Sequence, residues 1–170
     1  MHPSVLSYYV KKGILERIDR GVYRARDTDI DIDFMWEDLI LAVKSVSSGV
    51  VCLISALVLY EMTDEIPRVH WIAIPHSSRA PKREGIKIVR MRNLELGRTT
   101  LDIGNQSISI FDRERTIIDA FRYLGQETAI KALKTGLQAK GKNKIQLKKL
   151  QLYAKELRLN IGPYLLAVTT

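Results

Sequence analysis

The chain has 170 residues, of which 46% are hydrophobic and 27% are charged, and its net charge at pH 7 is +8. This length allows one good core, or a small module attached to a larger one. The apolar content excludes a disordered protein. No apolar run reaches the roughly 18 residues needed to span a bilayer, and the start lacks the pattern of a signal peptide. The sequence therefore predicts a soluble cytoplasmic protein that binds no membrane.

The first patterned segment, residues 3–24, reads as a short helix followed by a tight hairpin. Apolar side chains recur at helical spacing on one face of the helix, and hydroxyl and lysine side chains on the other. Gly13 follows two lysines and is the expected end of the helix. Two strand-like runs, 15–18 and 22–24, then enclose a three-residue turn that ends in glycine. This order predicts a partial winged helix, with a recognition helix followed by a wing hairpin.

The polar face of this helix and the basic hairpin carry the candidate DNA-binding residues. Hydroxyl, tyrosine and lysine side chains can bond phosphates and base edges, and arginines of a wing can lie along the DNA backbone. A solvated surface helix and hairpin is the ordinary alternative for a basic segment. The order and spacing of the elements favour DNA binding. The predicted contacts are Ser4, Ser7, Tyr8, Lys11, Lys12, Arg17, Arg20 and Arg24.

The acidic segment 27–33 is predicted to be a linker between two modules. Its spaced carboxylates superficially resemble a calcium loop, but there is no glycine at the sixth loop position and a helical pattern follows at once. We expect Asp31 or Asp33 to cap that helix, which extends to Val46. The predicted organisation is a DNA-binding module at 1–26, the linker, and a core at 34–170.

Beyond the linker, helical and strand patterns alternate, which predicts an α/β or α+β core with a mixed sheet flanked by helices. A buried strand at 50–53 contains the only cysteine, Cys52, which we expect to be a reduced core residue. Ser55 is expected to cap the next helix, at 56–62. Alternating apolar and polar residues then predict four strands. They lie at 69–75, 86–92, 99–103 and 107–111, and a polar surface loop, 76–84, joins the first two.

The C-terminal part of the chain is predicted to be helical. Asp112 should cap the first helix, in which Arg115 and Asp119 are placed for an i, i+4 ion pair. Two further helices, near 127–140 and 145–157, have lysine-rich outer faces, which could bind phosphate or remain solvated. The residues singled out there are Lys142, Lys144, Lys148 and Lys149. The inward residues of the last helix are expected to be Leu147, Leu150, Ala154 and Leu157.

The sequence predicts no catalytic residue, no cofactor and no metal. Segment 136–143 is one residue from a P-loop, but an asparagine replaces the magnesium-binding hydroxyl and no strand precedes it. The three histidines lack metal-ligand spacing, and His70 is expected to be a hydrogen-bonded structural residue. The closest approach to a metal-dependent nuclease is the set Glu84, Lys87 and Asp102, whose spacing fits poorly.

Four segments, in this order along the chain, resemble the AbiEi family, the antitoxins and transcriptional regulators of type IV toxin-antitoxin systems of abortive infection, a form of phage defence. They are KKGILERIDRGVYR (11–24), SALVLYEM (55–62), VHWIAIP (69–75) and DRERTIIDAF (112–121). The resemblance covers residues 3 to about 140. It implies a winged-helix module that binds and represses the promoter of its own operon. It also implies a C-terminal domain that counters a nucleotidyltransferase-like toxin without a stable complex.

The winged-helix module is short relative to the family, whose members carry two helices before the recognition helix. Here only two residues precede Pro3. A helix of about nine residues is marginal in water on its own, so its apolar face should pack against the larger domain or a second subunit, as in a homodimer. The alternative to the antitoxin is an interaction module whose basic C-terminal helices bind RNA or an acidic protein, and a nuclease is the weaker alternative.

Overall fold

The computed structural model of the chain describes residues 10–11, 15–19, 22–25 and 34–169. The predicted hairpin is present: β1 (Leu15–Asp19) pairs with β2 (Val22–Ala25) in antiparallel register. Val10 and Lys11 before it are helical. The expected helix stop at Gly13 and the expected caps Asp31 and Asp33 lie outside the described residues.

The core is built on a mixed sheet of five strands in the order β5-β4-β3-β7-β6. The short central strand β3 is antiparallel to β4 and parallel to β7. On the outer sides, β5 is parallel to β4 and β6 is antiparallel to β7. Sequence periodicity predicts each of these strands to within two residues. Their bounds are Val50–Val51 for β3, His70–Pro75 for β4, Ile86–Met91 for β5, Arg98–Ile103 for β6 and Gln106–Phe111 for β7.

Six helices accompany the sheet in the described part of the chain, which makes the fold α+β. They are α1 (Phe34–Lys44), α2 (Leu53–Leu59), α3 (Arg113–Tyr123), α4 (Gln126–Gln138), α5 (Leu147–Glu156) and α6 (Gly162–Thr169), with a 3₁₀ turn at Gly141–Asn143. Helix α1 packs its Leu39 and Val43 against Ile72 and Ile110 of the sheet. Helices α2 to α5 form a second apolar cluster around Leu133. Since side chains alternate along β4, Trp71 points away from the α1 face and packs against this second cluster.

The expected helix cap at Ser55 is wrong. Helix α2 begins at Leu53, three residues earlier than expected, and its N-cap residue Cys52 makes no side-chain cap bond. The Ser55 hydroxyl is buried and accepts a hydrogen bond from the Trp71 backbone N–H at 2.9 Å. Serine is a common cap because its oxygen accepts from a free N–H, and here the N–H belongs to a neighbouring strand.

The C-terminal helices differ from expectation in two respects. Leu147, expected to point inward, is the first residue of α5 and is 47% exposed, while Leu150 and Ala154 are buried as expected. Helix α6 was not predicted. It is short and apolar on most of its circumference, so it lacks the polar face that marks an amphipathic helix in a sequence.

Candidate nucleic-acid interface

Two of the predicted DNA contacts, one on the hairpin and one before it, are exposed. Arg17 is exposed on β1 and lies opposite Tyr23 of β2, while Lys11 is exposed at the preceding helical residues. The backbone of Arg24 pairs with Glu16 across the hairpin. A two-stranded ribbon with an exposed arginine is suited to lie along a phosphate backbone. The other predicted contacts, Ser4, Ser7, Tyr8, Lys12 and Arg20, lie outside the described residues.

Three of the four lysines predicted on the second surface are exposed. Lys142 lies in the 3₁₀ turn, Lys144 follows it, and Lys148 lies in the first turn of α5. The turn is held to α3 by Arg113, whose Nη2 donates to Asn143 Oδ1 at 3.0 Å. These three lysines, which we call the lysine surface, are therefore presented on a turn and helix that the core positions.

Lys149 does not belong to the lysine surface, although the sequence groups it there. Its Nζ lies 2.9 Å from Asp112 Oδ2 and 3.3 Å from Glu114 Oε2. Burial lowers the pKa of Lys149, but the hydrogen bond to Asp112 and the charges of Asp112 and Glu114 outweigh it, so the pKa is raised. Its charge is balanced within the protein, which leaves it poorly suited to binding an external phosphate.

The two acids that bind Lys149 also join α3 to α5. Asp112 caps α3 as predicted, because its Oδ1 accepts from the Arg115 backbone N–H at 2.8 Å. Its other oxygen accepts from the Tyr153 hydroxyl at 3.1 Å. Glu114 Oε1 accepts from the backbone N–H of Gln146 at 2.7 Å, at the start of α5. Each carboxylate therefore stabilises the start of one helix and binds a second element.

Arg115 is the largest fully buried side chain in the described part of the protein. Its Nε donates to Asp119 Oδ2 at 2.7 Å, which is the predicted i, i+4 ion pair. Its Nη1 donates to the backbone oxygens of Asn93 and Leu96 at 2.9 and 2.7 Å, and the guanidinium lies 4.4 Å from the centroid of the Phe111 ring. Arg115 thus holds the loop between β5 and β6 against α3.

The partner carboxylate, Asp119, is also fully buried. Arg122 Nη1 donates to its second oxygen at 2.7 Å. Burial raises the pKa of Asp119, and the two guanidinium groups oppose the rise. Nearby, burial raises the pKa of the Cys52 thiol well above its ordinary value, which agrees with the expected reduced core cysteine. Buried, paired charges of this kind position elements, and we assign this cluster a structural role.

Gly97 allows the loop to approach Arg115. Its φ is +75°, and a Cβ added there would lie 2.5 Å from the Arg115 Cβ. Its carbonyl accepts from the Asp112 backbone N–H at 2.7 Å. In the sequence Gly97 marks only a break between two predicted strands, and nothing local indicates this contact, because its partner lies on another element.

The strand order separates the residues of the nuclease hypothesis. Glu84 precedes β5 and Lys87 lies on it, whereas Asp102 lies on β6. These two strands form opposite edges of the sheet. Four strand spacings correspond to about 19 Å. Within the described residues, no group of three histidine, cysteine or acidic side chains could hold a metal ion. The three residues therefore do not form one nuclease site.

His70 has the structural role expected for it. Its Nε2 lies 2.8 Å from Asp38 Oδ2, which joins β4 to α1. The segment that resembles a P-loop, 136–143, comprises the end of α4 and the 3₁₀ turn. It therefore follows a helix and not a strand, as expected, whereas a P-loop follows a strand. Gly136 within it is buried against Ile145 and Ile117, so its backbone faces the core and is not placed to cradle a phosphate.

Comparison with known proteins gives no family assignment. No protein-family model matches the chain, and a search of curated proteins finds no significant match.

Among the described helices, none is long and apolar enough to cross a membrane.

Proposed function

We propose that the chain is a non-enzymatic, DNA-binding regulator. The observation that carries this proposal is the β1–β2 hairpin, which lies shortly after the helical residues Val10 and Lys11 in the sequence, exposes Arg17 and precedes a larger α+β core. Helix, basic hairpin and core in this order are what a recognition helix with a wing requires. Lys11 and Arg17 would contact the phosphate backbone, and the polar face of the helix would contact the groove.

More particularly, we propose that the protein is an AbiEi-type antitoxin that represses its own operon and counters a nucleotidyltransferase-like toxin without a stable complex. Three of the four segments that resemble the family fall on α2, β4 and α3. These elements are linked to one another: Ser55 bonds the Trp71 backbone, and Leu57 of α2 lies in one apolar cluster with Ile117 and Ile118 of α3. The resembling segments thus form one packed unit, which supports a shared fold. On this proposal the protein acts in the cytoplasm.

A homodimer would suit this function. DNA-binding modules of the helix-turn-helix type commonly bind two half-sites about one helical turn apart, as two-fold dimers. A second subunit would also cover the apolar face of the short recognition helix, which is marginal alone. Titration of a duplex of known concentration with the protein gives the stoichiometry of the complex, and hence the oligomeric state of the DNA-bound protein.

The test is fluorescence anisotropy with the DNA upstream of the gene and a scrambled duplex, across a salt series. We expect a preference for the upstream DNA that persists at moderate salt, because base contacts depend on salt less than phosphate contacts do. Arg17→Ala together with Arg20→Ala should weaken binding and flatten the salt dependence. Lys134→Ala, which removes an exposed charge from α4, is the control. Equal affinity for both duplexes would refute sequence-specific DNA binding. Unchanged binding by the arginine variants would exclude a DNA contact by the β1–β2 hairpin.

The second candidate function is an interaction module that binds RNA or an acidic protein through the lysine surface. The exposure of Lys142, Lys144 and Lys148 favours it. Charge reversal of these three lysines to glutamate should spare operator binding under the first proposal and abolish partner binding under the second. Lys149 must be left intact, since a glutamate there would face Asp112 and Glu114 and destabilise the fold.

A further inference from the structure

A cleft of about 520 Å³ along β5 combines aromatic rings with positive charges. Trp71 of β4 and Tyr123 at the end of α3 contribute the rings, and Lys87 and Arg90 of β5 contribute the charges. The other lining residues are Leu53, Ala80, Ile88 and Val89. No acidic side chain is found among the lining residues that the structure describes. We call this feature the aromatic cleft.

Each ring of the aromatic cleft has a cation beside it. Lys87 Nζ lies 3.9 Å from the centroid of the Trp71 ring, because the parallel register of β4 and β5 pairs these two residues. The Arg122 guanidinium lies 5.1 Å from the centroid of the Tyr123 ring, and Tyr123 is 42% exposed. A ring with a neighbouring cation suits a partner that carries both a flat ring and a negative charge.

Further cations lie near both ends of the aromatic cleft, although exposed Glu84, just before β5, lies at the same end of the strands as Arg68. Arg68 lies just before β4, and Arg92 just after β5, and both are exposed. The two parallel strands have six residues each, which corresponds to about 20 Å. Side chains alternate along β5, so Lys87 lies on one face of this edge strand and Arg90 and Arg92 on the other, and a ligand that contacts both sets must be long enough to cross the edge of the sheet.

We propose that the aromatic cleft binds single-stranded nucleic acid, with bases stacked on Tyr123 and Trp71 and phosphates bound by Lys87 and Arg90. Aromatic platforms in a positive groove bind single strands with little sequence preference, because every base has a π-face. Lys87 moves from the Trp71 ring to a phosphate and leaves the ring to a base. Arg90 Nη1 already donates to the carbonyls of His76 and Ser78, and the guanidinium has further N–H donors on Nε and Nη2. The bases of a duplex are stacked inside it and do not reach the two rings.

Trp71 makes this proposal directly measurable. The chain has two tryptophans, Trp36 and Trp71, so Trp36→Phe leaves Trp71 as the only one. A thymidine 15-mer added to this variant should quench the Trp71 fluorescence to saturation. Tripolyphosphate, which has the charge but no bases, and a 15-base-pair duplex should quench it weakly. Equal quenching by tripolyphosphate would show that the aromatic cleft binds anions only, and equal quenching by the duplex would show no preference for single strands. Either result, or no quenching, overturns the proposal.

Two variants test the contacts, with anisotropy of a labelled 15-mer as the readout. Tyr123→Ala should weaken binding by about 5- to 150-fold, the range measured for loss of one stacked base. Leu152→Ala, which also removes a half-exposed apolar side chain from a helix, is its control. Lys87→Gln should weaken binding and lower the salt dependence, with Lys134→Gln as control. Cleft variants that bind as well as their controls would refute the assignment.

The proposal for the aromatic cleft and the proposal of operator binding can be tested independently of each other. Arg17→Ala should weaken duplex binding and leave the 15-mer unaffected, whereas Tyr123→Ala should do the reverse. If Arg17→Ala weakens both equally, then single strands bind at the hairpin and the aromatic cleft is not the site.

Discussion

Two glycines with the same positive φ offer a direct measurement of how closely the protein packs around Arg115. Gly97 and Gly85 both have φ +75°. A Cβ at position 97 would lie 2.5 Å from the Arg115 Cβ and 3.1 Å from a ring carbon of Tyr153, whereas a Cβ at position 85 would have no atom within 4 Å. Alanine at either site must adopt the same unfavourable positive φ, and only Gly97→Ala adds a steric clash.

The expected magnitudes follow from these two terms. A left-handed conformation costs an ordinary residue about 1–2 kcal/mol, which is the full expected effect of Gly85→Ala. Overpacking a tight core typically costs a further 1–3 kcal/mol. Gly97→Ala should therefore destabilise the protein by about 2–5 kcal/mol, because the backbone of Arg115 cannot move without disturbing its bonds to Asp119, Asn93 and Leu96.

The assay is urea unfolding followed by far-UV circular dichroism, with the wild type and both variants at one pH and salt concentration. A clear excess destabilisation of Gly97→Ala over Gly85→Ala supports the close packing, provided that the denaturant dependence of the three proteins is the same. Equal destabilisation of the two variants would refute the reasoning, since it would mean that Arg115 and the loop adjust at no cost.

Three further predictions concern ionisable and reactive groups. Lys149→Gln should lower the unfolding free energy by about 1 kcal/mol, a value limited by solvent screening of the partly exposed ion pairs. The control, Lys148→Gln, should change the unfolding free energy by less than about 0.5 kcal/mol. Equal effects of the two substitutions in urea unfolding would contradict the ion pairs of Lys149. Because the pKa values of Lys149 and Tyr153 are both raised in the folded state, their contribution to stability is complete below about pH 10 and should be lost as the pH rises through the folded values. Lys149→Gln should flatten this alkaline fall, and a fall of the same size in the variant would argue against the assignment. Cys52 is buried and its thiol pKa is raised, so its reaction with a thiol reagent at pH 8 should be slow in the folded protein and fast in urea; fast labelling of the folded protein would show that the core opens readily.

Much of the local structure was predictable because it depends on residues close together in the chain. The alternation in 86–92 and 107–111 predicts β5 and β7, and the turn glycine between two short apolar runs predicts the hairpin. The cap at Asp112 and the pair between Arg115 and Asp119 depend on spacings of three and four residues, which a helix brings together whatever surrounds it. The α+β class follows from the order of these elements.

The candidate sites depended more on tertiary structure. Lys149 resembles Lys148 in the sequence, but folding places Lys149 beside Asp112 and Glu114 and leaves Lys148 exposed. The aromatic cleft was not predicted, because it requires the parallel register that sets Lys87 over Trp71 and the helix end that brings Tyr123 near.

The sequence by itself determined most of the segments that become strands and helices, with α6 as the exception, and also where the basic hairpin lies and which helix carries the buried ion pair. The tertiary structure alone decided the strand order that separates Lys87 from Asp102 and the carbonyls that bind Arg115. It also decided that the Ser55 hydroxyl accepts a hydrogen bond from a neighbouring strand. The physical reason is the range of the interactions. Periodicity and capping act over a few residues, whereas the partners of a buried charge or an exposed ring are chosen when distant segments pack together.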